Sequence, residues 1–247
     1  IYYSRHFSPQ NNNSINIFKV SCHIYFFIPS LLMQKGSWVE IEYVGRVKET
    51  GEIFDLTDEN LAKELKIYNP NFRYGPITVI VGEGFVIKGL DKALEEMKEG
   101  EEKEILVKPE EGFGIRKAEM VKTLPLKKFE EQKINPYPGM ILDFGQAKAK
   151  VLSVSGGRVT IDFNHPLAGK ELIYKVKVRR EVKDEKEKIE KLLEFFGLEK
   201  EEFEIGLEEK KVEIGLKREI PKGLKERVAE LIKKYLKKEE VLFIEKF

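Results

Sequence analysis

Short apolar runs set at the period of a β-strand constrain this chain more than any other feature. Trp38–Val47 (WVEIEYVGRV) largely alternates apolar and polar residues, the pattern of a strand with one buried face. Glu49-Thr50-Gly51-Glu52 reads as a turn, and Ile53 and Phe54 restart an apolar segment, so a hairpin is expected. Ile77–Val81 is a β-branched strand broken by Gly82-Glu83-Gly84, and Glu104–Val107 is another strand. Helical signals interrupt this rhythm locally. Asp58–Leu65 predicts a short helix with Asp58 as its N-cap. Ile87–Met97 sets Ile87, Leu90, Ala93, Leu94 and Met97 at helical spacing and is ended by Gly100. Tyr68–Pro76 (YNPNFRYGP) reads as loop.

Residues 119–163 read as a β-rich insert. Leu124-Pro125 and Pro136-Tyr137-Pro138-Gly139 punctuate it. Ile141–Phe144, Ala147–Val154 and Arg158–Phe163 are short strands around the Gly156-Gly157 turn. Leu172–Val178 alternates like a returning strand. Arg179–Lys188 is a charge run and reads as a linker. The tail, 184–247, orders its signals as helix, strand, strand, helix, strand. Ile189, Leu192, Leu193 and Phe196 mark the first helix, and Phe203–Leu207 and Val212–Leu216 the strand pair. Leu224, Val228, Leu231, Ile232, Tyr235 and Leu236 mark the second helix, with Pro221 near its start. Val241–Ile244 closes the set. The fold class expected is α+β.

Charge decides which partners to expect. Lys and Arg total 44 and Asp and Glu 43 in 247 residues. That balance argues against a polyelectrolyte partner such as bulk nucleic acid. A hydrophobic content of 41% is ample for a core and excludes global disorder. The only cysteine, Cys22, excludes an intrachain disulfide framework and a Cys-based zinc site.

Residues 1–32 differ from everything after them. Their only charges are Arg5 and Lys19, and they hold Cys22, His6, His23 and the Asn11-Asn12-Asn13 run. From Met33 onward the chain is dense in Lys and Glu, a composition associated with thermophile proteins. We read 1–32 as a non-native upstream extension. The rival reading is a signal peptide or anchor. Its apolar stretch, Ile24–Leu32, contains Pro29, is too short to span a bilayer and lacks a small-residue cleavage site. No other segment competes, so a cytoplasmic protein without a membrane partner is expected.

Generic catalytic motifs are missing: GxxxxGK[ST], GxGxxG, HExxH and GxSxG do not occur. His165 is the one histidine after Met33, and it reads as a structural loop residue. Neither a histidine metal site nor a nucleophile–base pair is expected, and no cofactor is implied.

Three ordered segments do carry a resemblance. VEIEYVGRVKETGEIFD (39–55), PITVIVGEGFVIKGLDKALEEMKEGEEKEILVKPEEGFG (76–114) and NHPLAGKELIYKVKV (164–178) resemble the FKBP-type peptidyl-prolyl isomerases. The SlyD-like branch fits best, because there an insert-in-flap domain interrupts the chain between motifs like GFG and NHPLAG. The tail is similar to the extra domain of the long archaeal members. The resemblance implies a twisted antiparallel sheet around a short helix. That catalytic domain would comprise 33–118 and 164–182, with the insert at 119–163 and a C-terminal α+β domain at 184–247.

The resemblance also implies an apolar proline pocket. Tyr43, Phe54 and Asp55 would come from the first two strands, and Ile77 from the position after Pro76. Val86 and Ile87 would come from the GFVIKGL segment, with the Ile87 N–H holding a substrate carbonyl. Leu90 would form the floor, where many relatives carry Trp. Phe113 stands where the family has a Tyr and so lacks its hydroxyl. Tyr174 lies on the last strand, usually a Phe position. By residue type alone, Phe54, Val86, Ile87, Leu90 and Phe113 are ordinary core side chains. On the same footing Asp55 is a turn or cap carboxylate and Tyr43 a strand aromatic. Position within the matched motifs is what singles them out.

The activity implied is isomerisation of Xaa–Pro bonds in unfolded or partly folded polypeptides, with no metal. In SlyD-like relatives the insert binds unfolded chains, which here implies Leu126, Phe129, Tyr137, Met140 and Ile141. The same residues also make sense as the insert's own core. Three readings therefore stand: a folding isomerase with chaperone capture, a holdase with little isomerase activity, and an oligomerising scaffold. A homodimer through 184–247 is expected from the tail's short strands, which can leave an edge to pair.

Overall fold

The alternation in Trp38–Val47 buries Trp38, Val39, Ile41 and Val47 and makes this segment, β1, the central strand of the first sheet. The structure, a computed structural model, describes residues 32–145 and 147–245. The expected upstream extension lies outside them except for Leu32. β9 (Leu172–Glu181) runs antiparallel along β1 from Val39 to Val47. The other flank is shared, with β3 (Ile77–Ile80) on Trp38–Ile41 and β2 (Ile53–Leu56) on Val44–Arg46. β4 (Glu102–Val107) completes the five-stranded sheet against β9.

Two short helices serve this sheet. α1 (Glu59–Glu64) starts where expected, because Asp58 accepts from the Asn60 and Leu61 N–H groups. α2 (Lys88–Leu94) buries Leu90 and Leu94 against Val39, Ile41, Val79, Val107, Val176 and Val178. It ends before the expected Met97. There the chain tightens into i→i+3 bonds, from Glu95 to Lys92, Glu96 to Ala93 and Met97 to Leu94. Met97 stays fully buried, so the apolar spacing is served by a turn.

The insert forms its own antiparallel sheet, ordered β5 (Val121–Pro125), β8 (Arg158–Asp162), β7 (Lys148–Ser155), β6 (Ile141–Asp143). α3 (Lys127–Glu130) caps it and places Phe129 in a core with Leu142, Ala149, Val151, Val159 and Ile161. β5 and α3 were not expected from the sequence, where Pro125 read as punctuation. Pro125 is tolerated because β5 is an edge strand. Side chains fasten the base of the insert. Asn164 bonds both backbone groups of Lys117 at 2.9 Å, and Arg116 reaches Asp162 at 2.7 Å.

The tail has the expected order. It runs α4 (Glu185–Phe195), β10 (Phe203–Leu207), β11 (Lys211–Leu216), α5 (Lys222–Leu236), β12 (Glu240–Glu245). β11 pairs antiparallel with β10 and parallel with β12, so α5 is a crossover helix. The expected linker at Arg179–Lys188 is not one. β9 continues to Glu181, and α4 begins after Asp184, whose side chain caps it through the Glu187 N–H. The run reads as a linker because two of its partners, Glu40 and Glu42, are distant in sequence. Arg180 bonds Glu40 at 3.2 Å and Glu187 at 2.6 Å, and Arg179 lies 3.3 Å from Glu42. Trp38, Ile80 and Val182 enter the same core as Ile189, Leu192, Leu193 and Ile232, so tail and first sheet are packed together.

Candidate active site

β1 and β2 present two polar side chains to one cavity. The Tyr43 hydroxyl donates to Asp55 Oδ2 at 3.0 Å. Backbone bonds set this register: Tyr43 N–H donates to Thr57 Oγ1 at 2.9 Å, and Thr57 N–H to the Tyr43 carbonyl at 3.0 Å. Burial, then the nearby Asp55 charge, pushes the Tyr43 phenol far up and keeps it protonated. Burial likewise raises the Asp55 carboxyl, while the bonds from Tyr43 and the Leu56 N–H oppose that rise. The Tyr174 phenol is raised too, by burial and by Asp55.

Aromatic rings build the wall behind them. Tyr174 lies 5.7 Å from both Tyr43 and Phe54, and Phe54 meets Phe113 edge-on at 6.1 Å. Gly45 makes this packing feasible. A Cβ there would sit 2.9 Å from Phe54 Cζ and 3.0 Å from Tyr174 Cε1. Phe113 is held from its other side by His165, stacked at 4.4 Å, whose Nδ1 accepts from the Leu167 N–H. His165 therefore has the structural role expected of it.

The remaining wall is a turn fastened by a buried carboxylate. Asp91 in α2 accepts from the N–H groups of Gly82 at 2.8 Å and Gly84 at 3.1 Å. This anchors the segment leading to Val86 and Ile87. Ile87 precedes α2 and uses its carbonyl to accept from Leu90 and Asp91. Among the described residues its N–H enters no turn, cap or side-chain bond.

The cavity so enclosed has a volume of about 640 Å³. Tyr43, Asp55, Ile77, Val86, Ile87, Leu90, Phe113 and Tyr174 all line it, and Leu90 is 1% exposed. Phe54, the remaining residue expected here, stands behind Tyr174 and Phe113 and supports them. Sequence reasoning missed other liners. Phe72 and Tyr74 come from the loop read as YNPNFRYGP, and Phe85 from the turn. The aromatics in that polar loop were the available signal. Lys191, Glu194 and Phe195 come from α4, and nothing local in the sequence points α4 at this cavity.

In the insert the five expected binding residues divide. Tyr137 and Ile141 are exposed, Leu126 and Met140 half-buried against the insert core. Phe129 is a correction: it is 3% exposed, because α3 turns it into that core. Phe144 and Leu152 add exposed apolar surface not expected from the sequence. Among the described residues no cluster of three metal-binding side chains occurs. No helix among them is long and apolar enough to cross a membrane.

Comparison with known proteins gives the following. Residues 32–130 match the model of FKBP-type peptidyl-prolyl cis-trans isomerases, and residues 122–167 the model described as FKBP26, IF domain. A short-type peptidyl-prolyl cis-trans isomerase of Methanocaldococcus jannaschii is 40% identical over 148 residues, 60% of this chain and 93% of that protein. The isomerase SlyD of Helicobacter pylori is 35% identical over 59% of this chain and 74% of its own. A structure of the three FKBP domains of wheat FKBP73 overlaps 61% of this chain and 40% of that one, at TM-score 0.32 and 18% identity.

Proposed function

We propose, from the premise that this chain belongs to the FKBP-type peptidyl-prolyl cis-trans isomerases, that the cavity above Leu90 is where it turns the prolyl bond. The chain is a peptidyl-prolyl cis-trans isomerase of SlyD-like kind. Its substrates are polypeptides containing Xaa–Pro bonds.

The chemistry is physical. Amide resonance opposes rotation by about 18–20 kcal/mol. The planar amide is more polar than the twisted one, so water stabilises the ground state more. An apolar cavity withholds that water and lowers the barrier. Tyr43, Asp55, Ile77, Val86, Ile87, Leu90, Phe113 and Tyr174 are the residues assigned to it, with Phe54 supporting them from behind. The Ile87 N–H, without a partner among the described residues, suits a substrate carbonyl. The Tyr43–Asp55 pair gives the cavity one oriented polar edge. Phe113 offers no hydroxyl and Tyr43 holds its proton, so no acid–base step is assigned.

The observation that carries this reading is the mostly apolar cavity above Leu90 with the Tyr43–Asp55 pair at its edge. The test is full-chain catalysis of two reactions, a short Xaa–Pro peptide and the refolding of a protein limited by one cis-proline. Acceleration of both supports it. No acceleration, with client aggregation suppressed, would instead favour a holdase.

Capture of unfolded chains by the insert belongs to the same proposal, supported by the exposed Tyr137 and Ile141. Tethered capture raises the effective concentration of substrate at the cavity. A homodimer through 184–247 is the proposed assembly. β10 and β12 end the tail sheet, and Leu207 and Ile244 leave apolar side chains on them. Light scattering of the full chain decides this, and a monomer at every concentration removes the dimer. The proposed location is the cytoplasm, which cell fractionation tests.

A further inference from the structure

The cavity is larger than a prolyl ring needs, and its outer part is built by the tail. Lys191, Glu194 and Phe195 of α4 line it. The Phe195 ring lies 4.6 Å from Phe85, the residue before Val86 and Ile87. Two clasps fasten the tail to the first domain, one at α4 and one at α5. Arg73, on the cavity loop, stands 3.7 Å from the Glu194 carboxylate and donates to the Glu194 carbonyl at 3.4 Å. Glu83, in the turn before Phe85, accepts from Arg227, Lys234 and Tyr235 of α5 at 3.0, 2.5 and 2.5 Å. The shared core of Trp38, Ile80 and Val182 with α4 fixes the same placement from beneath. α4 is thus a built wall of the cavity.

Charges gather on this wall, and the buried Glu194 Oε1 has no hydrogen-bond partner among the described residues. Glu194, 9% exposed, is ringed by Lys191 at 3.0 Å, Arg73 at 3.7 Å and Lys200 at 3.7 Å. The apolar part of this wall is aromatic, the half-buried Phe195 and Phe85. Ile87 and these two rings line the same cavity.

We propose that Phe195, with Phe85, forms a subsite for an apolar side chain adjacent to the proline, so that the tail sets the sequence preference of the isomerase. This rests on the cavity being the isomerase site. The subsite prefers Leu or Phe over Ala at one of the two positions flanking proline, by about fivefold, as burial of a few methylenes allows.

The experiment measures kcat/KM on short peptides in which the residues before and after proline are varied singly among Ala, Leu, Phe and Glu. The full-length parent is compared with Phe195→Ala, Phe195→Leu and Arg73→Ala. In Phe195→Ala the preference at that one position should flatten to within about twofold, the Leu and Phe peptides losing more than the Ala peptide. Phe195→Leu should restore it, and Arg73→Ala, which releases the clasp, should weaken it. A ranking unchanged in Phe195→Ala, or an equal loss on every peptide, overturns the subsite. A parent inactive on all peptides would overturn the isomerase site itself, and the subsite with it.

Discussion

Tyr43 of β1 gives its phenolic hydrogen to Asp55 of β2 across 3.0 Å, so these two polar groups of the cavity wall are spent on each other. Replacing Tyr43 by Phe frees a carboxyl that is already raised by burial and removes one of the bonds that oppose the rise. The variant should lose about 1–3 kcal/mol of stability and about tenfold in kcat/KM on a peptide. Chemical denaturation and peptide turnover measure both. Unaltered turnover would remove the pair from the mechanism.

Asp55 itself has a pH signature. Its folded pKa is raised from 3.8 by burial, so its contribution is complete below that value and is lost as pH rises through the folded pKa. Asp55→Asn should therefore be at least as stable as the parent at pH 7 and gain no advantage at pH 3. Urea midpoints at the two pH values check this. A variant weaker at pH 7 but equal at pH 3 would contradict it.

Glu83 behaves in the opposite sense. Burial pushes its carboxyl up, but hydrogen bonds from Lys234, Tyr235 and Arg227 outweigh this and hold it at about 2. A depressed carboxyl stabilises the fold above its unfolded value of 4.5, and that stability is lost as pH falls toward 2. Glu83→Gln should cost about 2 kcal/mol at pH 7, and the difference should close near pH 2. Thermal unfolding across that range tests it, and a gap that persists at pH 2 counts against the clasp.

Gly45 is needed for its lack of a side chain. Gly45→Ala would force Phe54 and Tyr174 apart from contacts of 2.9 and 3.0 Å. A loss of about 1–3 kcal/mol is expected, with reduced peptide turnover. An alanine variant as stable and active as the parent would show that the ring wall yields freely.

The insert separates surface from core. Tyr137→Ser with Ile141→Ser should slow catalysed refolding of a protein substrate while leaving short-peptide turnover intact, because both side chains are exposed. Phe129→Ala should instead destabilise the insert by about 3–5 kcal/mol. Equal refolding rates for the double variant and the parent would exclude these two residues from capture.

Local chemistry was enough for much of the architecture. The alternation of Trp38–Val47, the Asp58 cap and the apolar stripe from Leu224 to Leu236 each specify an element from neighbours a few residues apart. The residues at the cavity were legible through ordered motifs, since Tyr43, Asp55, Ile87 and Leu90 lie in segments with recognisable order. What depended on distant partners was not. Arg179–Lys188 reads as a linker until Glu40 and Glu42 stand across from it. Phe129 and Tyr137 look alike as apolar letters, and only the turn of α3 sends one inward and leaves the other outside. Phe195 looks like one more helix aromatic, and only the packing of α4 on the first sheet brings it to Phe85. The sequence by itself determined the elements and the residue types of the cavity, because periodicity, caps and motifs are short-range. The tertiary structure alone decided that the tail walls that cavity, because residues more than a hundred positions apart meet only when separate elements bury a common core.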